Sequence, residues 1–162
     1  MKRWIWIPVL LCLLTGCTAE ETFETVADVW AEPTLPQPRS ISVVLPGETA
    51  MPAMESTTGR VYLSSDYEIY LQTMAGGDLN ATVEAMSGFS PEKLTLLTTE
   101  QDGLKRHEFV WAAAGEGGDF LGRGIILDDG NYHYTMTVLR SAREAETSTV
   151  VWDGVFSSFR LV

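Results

Sequence analysis

Two short turn sequences constrain the fold of this chain more than any other feature: Gln101-Asp102-Gly103 and Asp128-Asp129-Gly130-Asn131. Asp, Asn and Gly are the residues that most readily adopt the positive φ angles of tight hairpins. Each turn lies between two runs in which apolar and polar residues alternate, a pattern typical of β-strands. The turns therefore predict antiparallel neighbours in a sheet. The predicted strands around them cover residues 93–99, 104–113, 120–127 and 132–139.

Three more strands are predicted in the first half of the chain. A strand from Ile41 is expected to end at the Pro46-Gly47 turn, where proline and glycine interrupt the pattern. The other two strands cover residues 60–63 and 67–73. Residues 48–58 show no clear period and are predicted to form a loop.

Two helices complete the predicted pattern. Asp78 fits an N-cap and Gly88 fits a C′ position, so a helix is expected between them. A second helix is predicted at the end of the chain, beginning at the Ser141-x-x-Glu144 capping box. The apolar stripe of this second helix consists of Val151, Trp152, Val155, Phe156 and Phe159.

The predicted order of elements is β-β-β-α-β-β-β-β-α. Because tight hairpins join most of the strands, this order favours an α+β fold with a mainly antiparallel sheet flanked by two helices. Four segments carry a resemblance to known proteins: Leu45-Pro46, Tyr67-x-Ile69, the alternating strand from Tyr132 to Val138, and the tail from Val155 to Leu161. The pattern resembles the α/β/α sandwich of PsbP-like and Mog1-like proteins, including bacterial DUF1795-type lipoproteins. The resemblance implies a binding or accessory role, although one fold serves many functions.

The N-terminus carries a second resemblance. Lys2 and Arg3 precede an apolar run that ends at Leu14-Thr15-Gly16-Cys17, an order typical of a secretory signal. Those last four residues resemble the bacterial lipobox, which implies a diacylglyceryl thioether on Cys17 and cleavage between Gly16 and Cys17. A membrane-spanning anchor is disfavoured, because the apolar run would span about 20 Å as a helix and a bilayer core is about 30 Å thick. A plain signal peptide is the other alternative.

These signals divide the chain into three parts. Residues 1–16 are predicted as the lipoprotein signal, 17–39 as a lipidated, acidic tether with prolines, and 40–162 as one α+β domain. Charged segments that contain proline stay extended and bury little. A short amphipathic helix within residues 20–31 is the alternative for the tether. Its apolar side chains would be Phe23, Val26, Val29 and Trp30.

Charge and cysteine content narrow the possible partners. Loss of Lys2 and Arg3 with the signal changes the net charge from −11 to −13, which repels phosphate backbones and disfavours nucleic-acid binding. Cys12 leaves as well, so Cys17 is the one cysteine of the processed chain. The sequence thus predicts an extracytoplasmic protein held to the bacterial cell membrane through acylated Cys17, with a protein partner in the cell envelope as a further possibility.

No residue pattern indicates catalysis, a metal or a cofactor. On the predicted strands, His107 is in phase with Phe109 on the apolar face, and His133 follows the polar face. We interpret them as a rim histidine and a surface histidine rather than as an acid–base or metal site. Several aromatic residues fit a core better than a ligand cavity. They are Trp30, Trp111, Trp152, Tyr132 and Tyr134.

The sequence therefore predicts a non-enzymatic lipoprotein with a binding or accessory role. The alternative is a lipoprotein that carries a small apolar or amphipathic ligand between its sheet and a helix. A hydrolase is least favoured, because the serines and acidic residues are not arranged as a nucleophile elbow or a catalytic triad.

Overall fold

A seven-stranded antiparallel sheet forms the framework of the protein. The structure, a computed structural model, describes residues 35–47, 51–115, 118–143 and 149–162. In chain order the strands are β1 (Ile41–Ser42), β2 (Met54–Glu55), β3 (Gly59–Leu63), β4 (Tyr67–Ala75), β5 (Leu97–Gln101), β6 (Leu104–Gly115), β7 (Gly118–Asp128), β8 (Tyr132–Ser141) and β9 (Arg160–Leu161). The sheet has the order β2-β3-β4-β8-β7-β6-β5, and β1 pairs with β9 in a separate two-stranded sheet.

The described α-helices are α1 (Leu79–Ser87) and α2 (Thr149–Ser158). Asp78 caps α1 as predicted, because its Oδ1 accepts a hydrogen bond of 2.9 Å from the backbone N–H of Asn80. Gly88 follows the last turn with a φ of 75°, and its N–H donates to the Glu84 carbonyl at 2.7 Å. Both predicted ends of this helix are confirmed.

The two hairpins also form where the sequence predicts them, between β5 and β6 and between β7 and β8. Asp102 and Gly130 have positive φ angles of 53° and 88°. In the second turn, Oδ1 of Asp129 accepts hydrogen bonds from the backbone N–H groups of Asn131 (2.9 Å) and Tyr132 (2.8 Å). Because these bonds close the turn locally, the turn contributes to the register of β7 and β8.

Three predictions in the first part of the chain are wrong at their boundaries. The strand predicted from Ile41 to the Pro46-Gly47 turn is only two residues long and lies outside the main sheet. The loop predicted over 48–58 contains β2, which pairs with β3. The strand predicted from Lys93 begins at Leu97, because residues 91–93 form a short 3-10 helix. Its first residue is proline, whose restricted φ suits the start of a helix.

The end of the chain differs more from its prediction. Ser141 is the last residue of β8 and pairs with Phe120 of β7, so the predicted capping box is wrong. Its other member, Glu144, lies outside the described residues. The chain does not end in a helix, because α2 is followed by β9, in which Leu161 pairs with Ile41 of β1. The pairing holds these end residues in an extended conformation.

Helices α1 and α2 cover opposite faces of the sheet. Ile125 and Ile126 are neighbours on β7, and both are fully buried. Ile125 shares a core cluster with Trp152 of α2, whereas Ile126 shares one with Val83 of α1. Successive residues of a strand point to opposite faces, so the two helices lie on opposite sides. The α+β fold, a mainly antiparallel sheet flanked by two helices, is therefore confirmed.

The α2 side holds the larger core. Its buried members are Tyr62, Ile69, Leu71, Ile125, Leu127, Tyr134, Met136, Val138, Trp152, Val155, Phe156, Phe159 and Leu161. Both described clusters lie within the compact unit Leu35–Val162. The predicted signal and most of the predicted tether, residues 1–34, lie outside the described residues.

Gly154 offers a simple test of the packing of α2. It lies within the helix and is exposed, and a Cβ added there would have no atom within 4 Å. Glycine in a helix costs about 1 kcal/mol relative to alanine, so Gly154→Ala should raise the free energy of unfolding by about 0.5–1 kcal/mol. Urea denaturation measures the change. A loss of stability would show that the helix needs glycine at this position.

Candidate functional site

A groove opens between α2 and strands β6, β7 and β8. Val110 of β6 pairs with Arg123 of β7, and Leu121 of β7 pairs with Arg140 of β8. Cross-strand partners share a face, and this is the face that α2 packs on. The helix leaves Val110 63% and Leu121 36% exposed. The remaining walls are Gly122, Val138, Trp152, Asp153 and Phe156.

The groove has the size and character of a small-ligand site. Its volume is about 290 Å³, close to the lower end, about 300 Å³, of the range for ligand pockets. Apolar side chains form most of its wall, and two arginines and one aspartate supply the charges. Such a surface suits a ligand that is partly apolar and partly charged.

Two aromatic rings of α2 position the arginines. The Cζ atom of Arg123 lies 4.0 Å from the centre of the Phe156 ring. The Cζ atom of Arg140 lies 5.0 Å from the centre of the Trp152 ring. Cation–π contacts at these distances are favourable, and both rings are buried in the core. The guanidinium groups are therefore held in place by rigid parts of the fold.

Glu108 of β6 ties Arg123 to its neighbour Arg106. Its Oε1 accepts a hydrogen bond from Nε of Arg106, and its Oε2 accepts one from Nη2 of Arg123, both at 2.7 Å. Burial raises the pKa of Glu108, but the hydrogen bonds from Arg123 and Arg106 outweigh burial and hold the pKa below its ordinary value. Glu108 is therefore ionised at neutral pH.

Arg106 extends this network to the end of α2. Its Nη2 donates to the carbonyl of Phe156 at 2.8 Å, and its Nη1 donates to the carbonyl of Phe159 at 3.3 Å. Carbonyls at a helix C-terminus lack partners within the helix, and a positive charge there is favourable. The network thus fastens α2 to the sheet and fixes one wall of the groove.

Removal of the Glu108 charge should weaken this attachment in a pH-dependent way. We expect Glu108→Gln to lower the free energy of unfolding at neutral pH by about 1–3 kcal/mol, since one of the two hydrogen bonds is lost and the other no longer has a charged acceptor. The pKa of Glu108 is depressed in the folded state, so its contribution is complete above its ordinary value of 4.5. It is lost as the pH falls through the folded-state pKa. Urea denaturation should show the difference from wild type shrinking on acidification, and a constant difference would contradict this origin.

Both histidines lie on the opposite face of the sheet, the face on which α1 packs. His107 is in phase with Phe109 as predicted, but it is buried, with 4% of its surface exposed. The prediction that His133 is a surface residue is wrong, because it is 2% exposed. Its Nδ1 lies 2.8 Å from the hydroxyl of Thr82 in α1. Helix α1 thus covers the polar row of β8, which the sequence alone assigns to solvent.

The histidines are separated from the groove by the sheet. The Nδ1 atom of His107 is hydrogen-bonded to the Thr98 hydroxyl at 2.9 Å, and its Nε2 has no partner among the described residues. Burial lowers the pKa of His107, which favours its neutral form. Within the described ranges, no three His, Cys, Asp or Glu side chains are grouped so as to hold a metal ion.

A second cleft, of about 390 Å³, lies between residues 38–41 and strands β3 and β4. Its large aliphatic side chains, Ile41, Leu71 and Met74, are buried or half-buried. Arg60 in this cleft donates to the carbonyl of Ile41 at 3.3 Å. The exposed apolar residues of this cleft, Pro38 and Ala75, are smaller than Val110 and Leu121 of the groove beside α2. We therefore take the groove as the candidate site.

The aromatic residues named above as possible lining of a ligand cavity do not lie together in the structure. Trp111 is buried on the α1 side, and Tyr134 is buried in the core on the α2 side. Trp152 is also a core residue but forms part of the groove wall. Trp30 lies outside the described residues, as do Gly16 and Cys17, the predicted cleavage and lipidation site.

Neither Arg123 nor Arg140 is among the residues that the sequence predicts for a site. A signal was nevertheless present in the strand pattern. Arg140 is in phase with Val138 and with the other core residues of β8, and Arg123 is in phase with Ile125 of β7. An arginine in phase with buried apolar residues indicates a charge on the side of the sheet that faces a helix.

Comparison with known proteins gives similar structures only. No family model matches the chain, and no curated protein sequence matches it significantly. Cyanobacterial PsbP from Synechocystis matches with a TM-score of 0.49 and 11% identity, over 70% of this chain and 80% of that one. LpqN, involved in cell envelope biogenesis of Mycobacterium tuberculosis, has a TM-score of 0.46 and 14% identity, over 78% and 86%. PA94 of Pseudomonas aeruginosa, a protein of unknown function, matches with a TM-score of 0.45 and 15% identity, over 78% of this chain and 85% of that one.

Membership of the PsbP-like or Mog1-like family stays a prediction, as do the lipobox and the anchoring at Cys17. In the part of the chain that the structure describes, no helix is long and apolar enough to cross a membrane.

Proposed function

We propose that the protein is a non-enzymatic lipoprotein, a binding or accessory domain held outside the bacterial cell membrane by lipid on Cys17. The Leu14-Thr15-Gly16-Cys17 lipobox supports the anchor and the extracytoplasmic location. The groove beside α2 supports the binding role. Cleavage before Cys17 would leave a lipidated chain whose folded domain begins after a proline-bearing, acidic segment.

The observation that carries the binding role is the pair of ring-held arginines beside exposed apolar side chains. Buried aromatic residues and a salt bridge to Glu108 keep Arg123 in place, while Val110 and Leu121 stay open to solvent. A site that is arranged before its ligand arrives loses little entropy on binding. This favours the groove over the rest of the described surface as the contact site.

Carriage of a small apolar or amphipathic ligand is the second candidate. The space between sheet and α2 is filled, because Trp152, Val155 and Phe156 are buried against the sheet residues of the same core cluster. A ligand of this kind would therefore lie in the groove and not inside the core. The groove's mainly apolar wall favours this version of the binding role.

Site-specific photo-crosslinking in intact cells tests the binding role. A photoreactive residue at Leu121 samples the groove, and one at Leu63 is a matched control. Leu63 is 55% exposed, and it follows Tyr62 of the α2-side core, so it lies on the other face of the sheet.

We expect a discrete adduct at residue 121 of the membrane-bound protein and none at residue 63. The mass of the adduct distinguishes a small ligand from a protein partner. The same adducts at both positions, or none at either, would contradict a binding role for the groove.

A further inference from the structure

We propose that the groove beside α2 binds a small anionic amphiphile, with a single carboxylate or phosphate head on a short alkyl or aryl body. This inference rests on the proposed binding function and names its ligand class. It also assigns Asp153 a role: its carboxylate occupies the position that the ligand's anionic head takes.

The arginines provide the site for the anionic head. Leu121 pairs with Arg140 and Val138 pairs with Arg123, so the two arginines are diagonal neighbours on adjacent strands. Burial and the positive charge of Arg123 lower the pKa of Arg140, whereas the negative charge of Asp153 raises it. A carboxylate is thus already favoured beside the two arginines, and guanidinium groups bind carboxylate or phosphate oxygens in a fixed geometry.

Asp153 is the internal competitor for this place. Its Oδ1 lies 3.8 Å from Nη1 of Arg123, and its side chain is 67% exposed. Exposed ion pairs at such distances contribute little to stability, so a ligand head can replace Asp153 at small cost. The second partner of Arg123, Glu108, is much closer at 2.7 Å and only 22% exposed. Glu108 therefore stays in place and holds the arginine when the ligand binds.

The apolar wall provides the site for the ligand body. Val110 and Leu121 are exposed apolar side chains on β6 and β7, and the buried ring of Phe156 closes the groove on the helix side. Covering these side chains removes apolar surface from water, which is favourable. Because the volume is only about 290 Å³, a short body fits and a long lipid chain does not.

Calorimetric titration of the processed chain, Cys17 to Val162 without its lipid, tests the ligand class. Octanoate combines both features of the proposed ligand, 1-octanol has the chain without the charge, and acetate has the charge without the chain. We expect octanoate to bind with one-to-one stoichiometry and the other two to bind at least about tenfold more weakly, since each lacks one group of contacts. Octanol or acetate binding as tightly as octanoate would overturn the proposal.

Three variants separate the groove from non-specific effects. Arg140→Gln should weaken octanoate binding about tenfold, because one charged partner of the head is lost. Asp153→Asn should tighten it about threefold, because the competing carboxylate is removed. Lys93→Gln removes one positive charge from the 3-10 helix next to α1, and it should leave the affinity unchanged.

The opposite signs at Arg140 and Asp153 cannot result from loss of folding. Unchanged or weaker binding in Asp153→Asn would overturn the role of Asp153 and the placement of the head. If octanoate does not bind while the crosslink at residue 121 persists in cells, the ligand class is wrong and the binding function stands. If both fail, the proposed function fails as well.

Discussion

Replacing Cys17 with alanine should abolish lipid attachment and block the cleavage that is associated with it. The predicted modification uses the cysteine thiol as its nucleophile, and alanine has none. Two acyl chains anchor a protein stably, at about 0.8 kcal/mol per buried methylene group, and the variant lacks them. Metabolic labelling with an alkyne fatty acid measures lipid attachment, and the mass of the protein shows whether residues 1–16 have been removed.

Cys12 provides a matched control for this experiment. It lies within the predicted signal, five residues before Cys17, and a signal tolerates other apolar or small residues at such positions. Cys12→Ala should therefore be labelled and cleaved like wild type. Equal labelling of the Cys17→Ala variant would refute the lipobox interpretation.

The largest loss of stability is expected from Gly122→Ala. Gly122 of β7 pairs with Trp111 of β6, and a Cβ added to this glycine would overlap the indole ring. A Cβ added to Gly124 would likewise overlap the ring of Phe109. The rings of Phe109 and Trp111 stack on each other with their centres 5.5 Å apart. Displacement of a buried, stacked ring is overpacking of the kind that costs about 3 kcal/mol.

Urea denaturation followed by tryptophan fluorescence measures this loss. Gly77→Ala is the matched control, because a Cβ there meets nothing within 4 Å, and it should change the free energy of unfolding by less than about 0.5 kcal/mol. The double variant with Trp111→Ala should be destabilised by less than the sum of the two single variants, since the ring that causes the overlap is gone. A Gly122→Ala protein as stable as wild type would contradict this account, because it would show that the Trp111 ring can adopt another conformation at no cost.

The sequence predicted those parts of the fold that local chemistry determines. The turn at 128–131 is closed by a side chain of the turn itself. The carboxylate of Asp129 accepts hydrogen bonds from the backbone N–H groups of Asn131 and Tyr132. Helix α1 carries both of its caps in neighbouring residues. Such signals are complete within a few residues, so they can be recognised without knowledge of the rest of the structure.

Several of the predictions that failed depend on residues far apart in the chain. β1 and β9 exist as strands because Ile41 pairs with Leu161, and nothing near either residue indicates its partner. Ser141 fits a capping box locally, but pairing with Phe120 extends β8 to include it. The polar row of β8 predicts that His133 is exposed to solvent, but α1 covers this row and His133 is buried.

The candidate site depends on register as well. The groove requires Leu121 to lie opposite Arg140, and Gly122 has its packing role only because it lies opposite Trp111. The phase of an arginine along its own strand can be recognised from the sequence. The aromatic ring of α2 that the arginine contacts cannot be recognised in this way, because the contact joins elements that are distant in the chain.

Mass spectrometry of the N-terminal peptide, from protein extracted from bacterial membranes, tests the central claim of a lipid-anchored domain most directly. We predict a peptide that begins at Cys17 and carries a diacylglyceryl group on the thiol, with no residue from 1–16 attached. A peptide that begins at any other residue, or one with an unmodified Cys17, would contradict the claim.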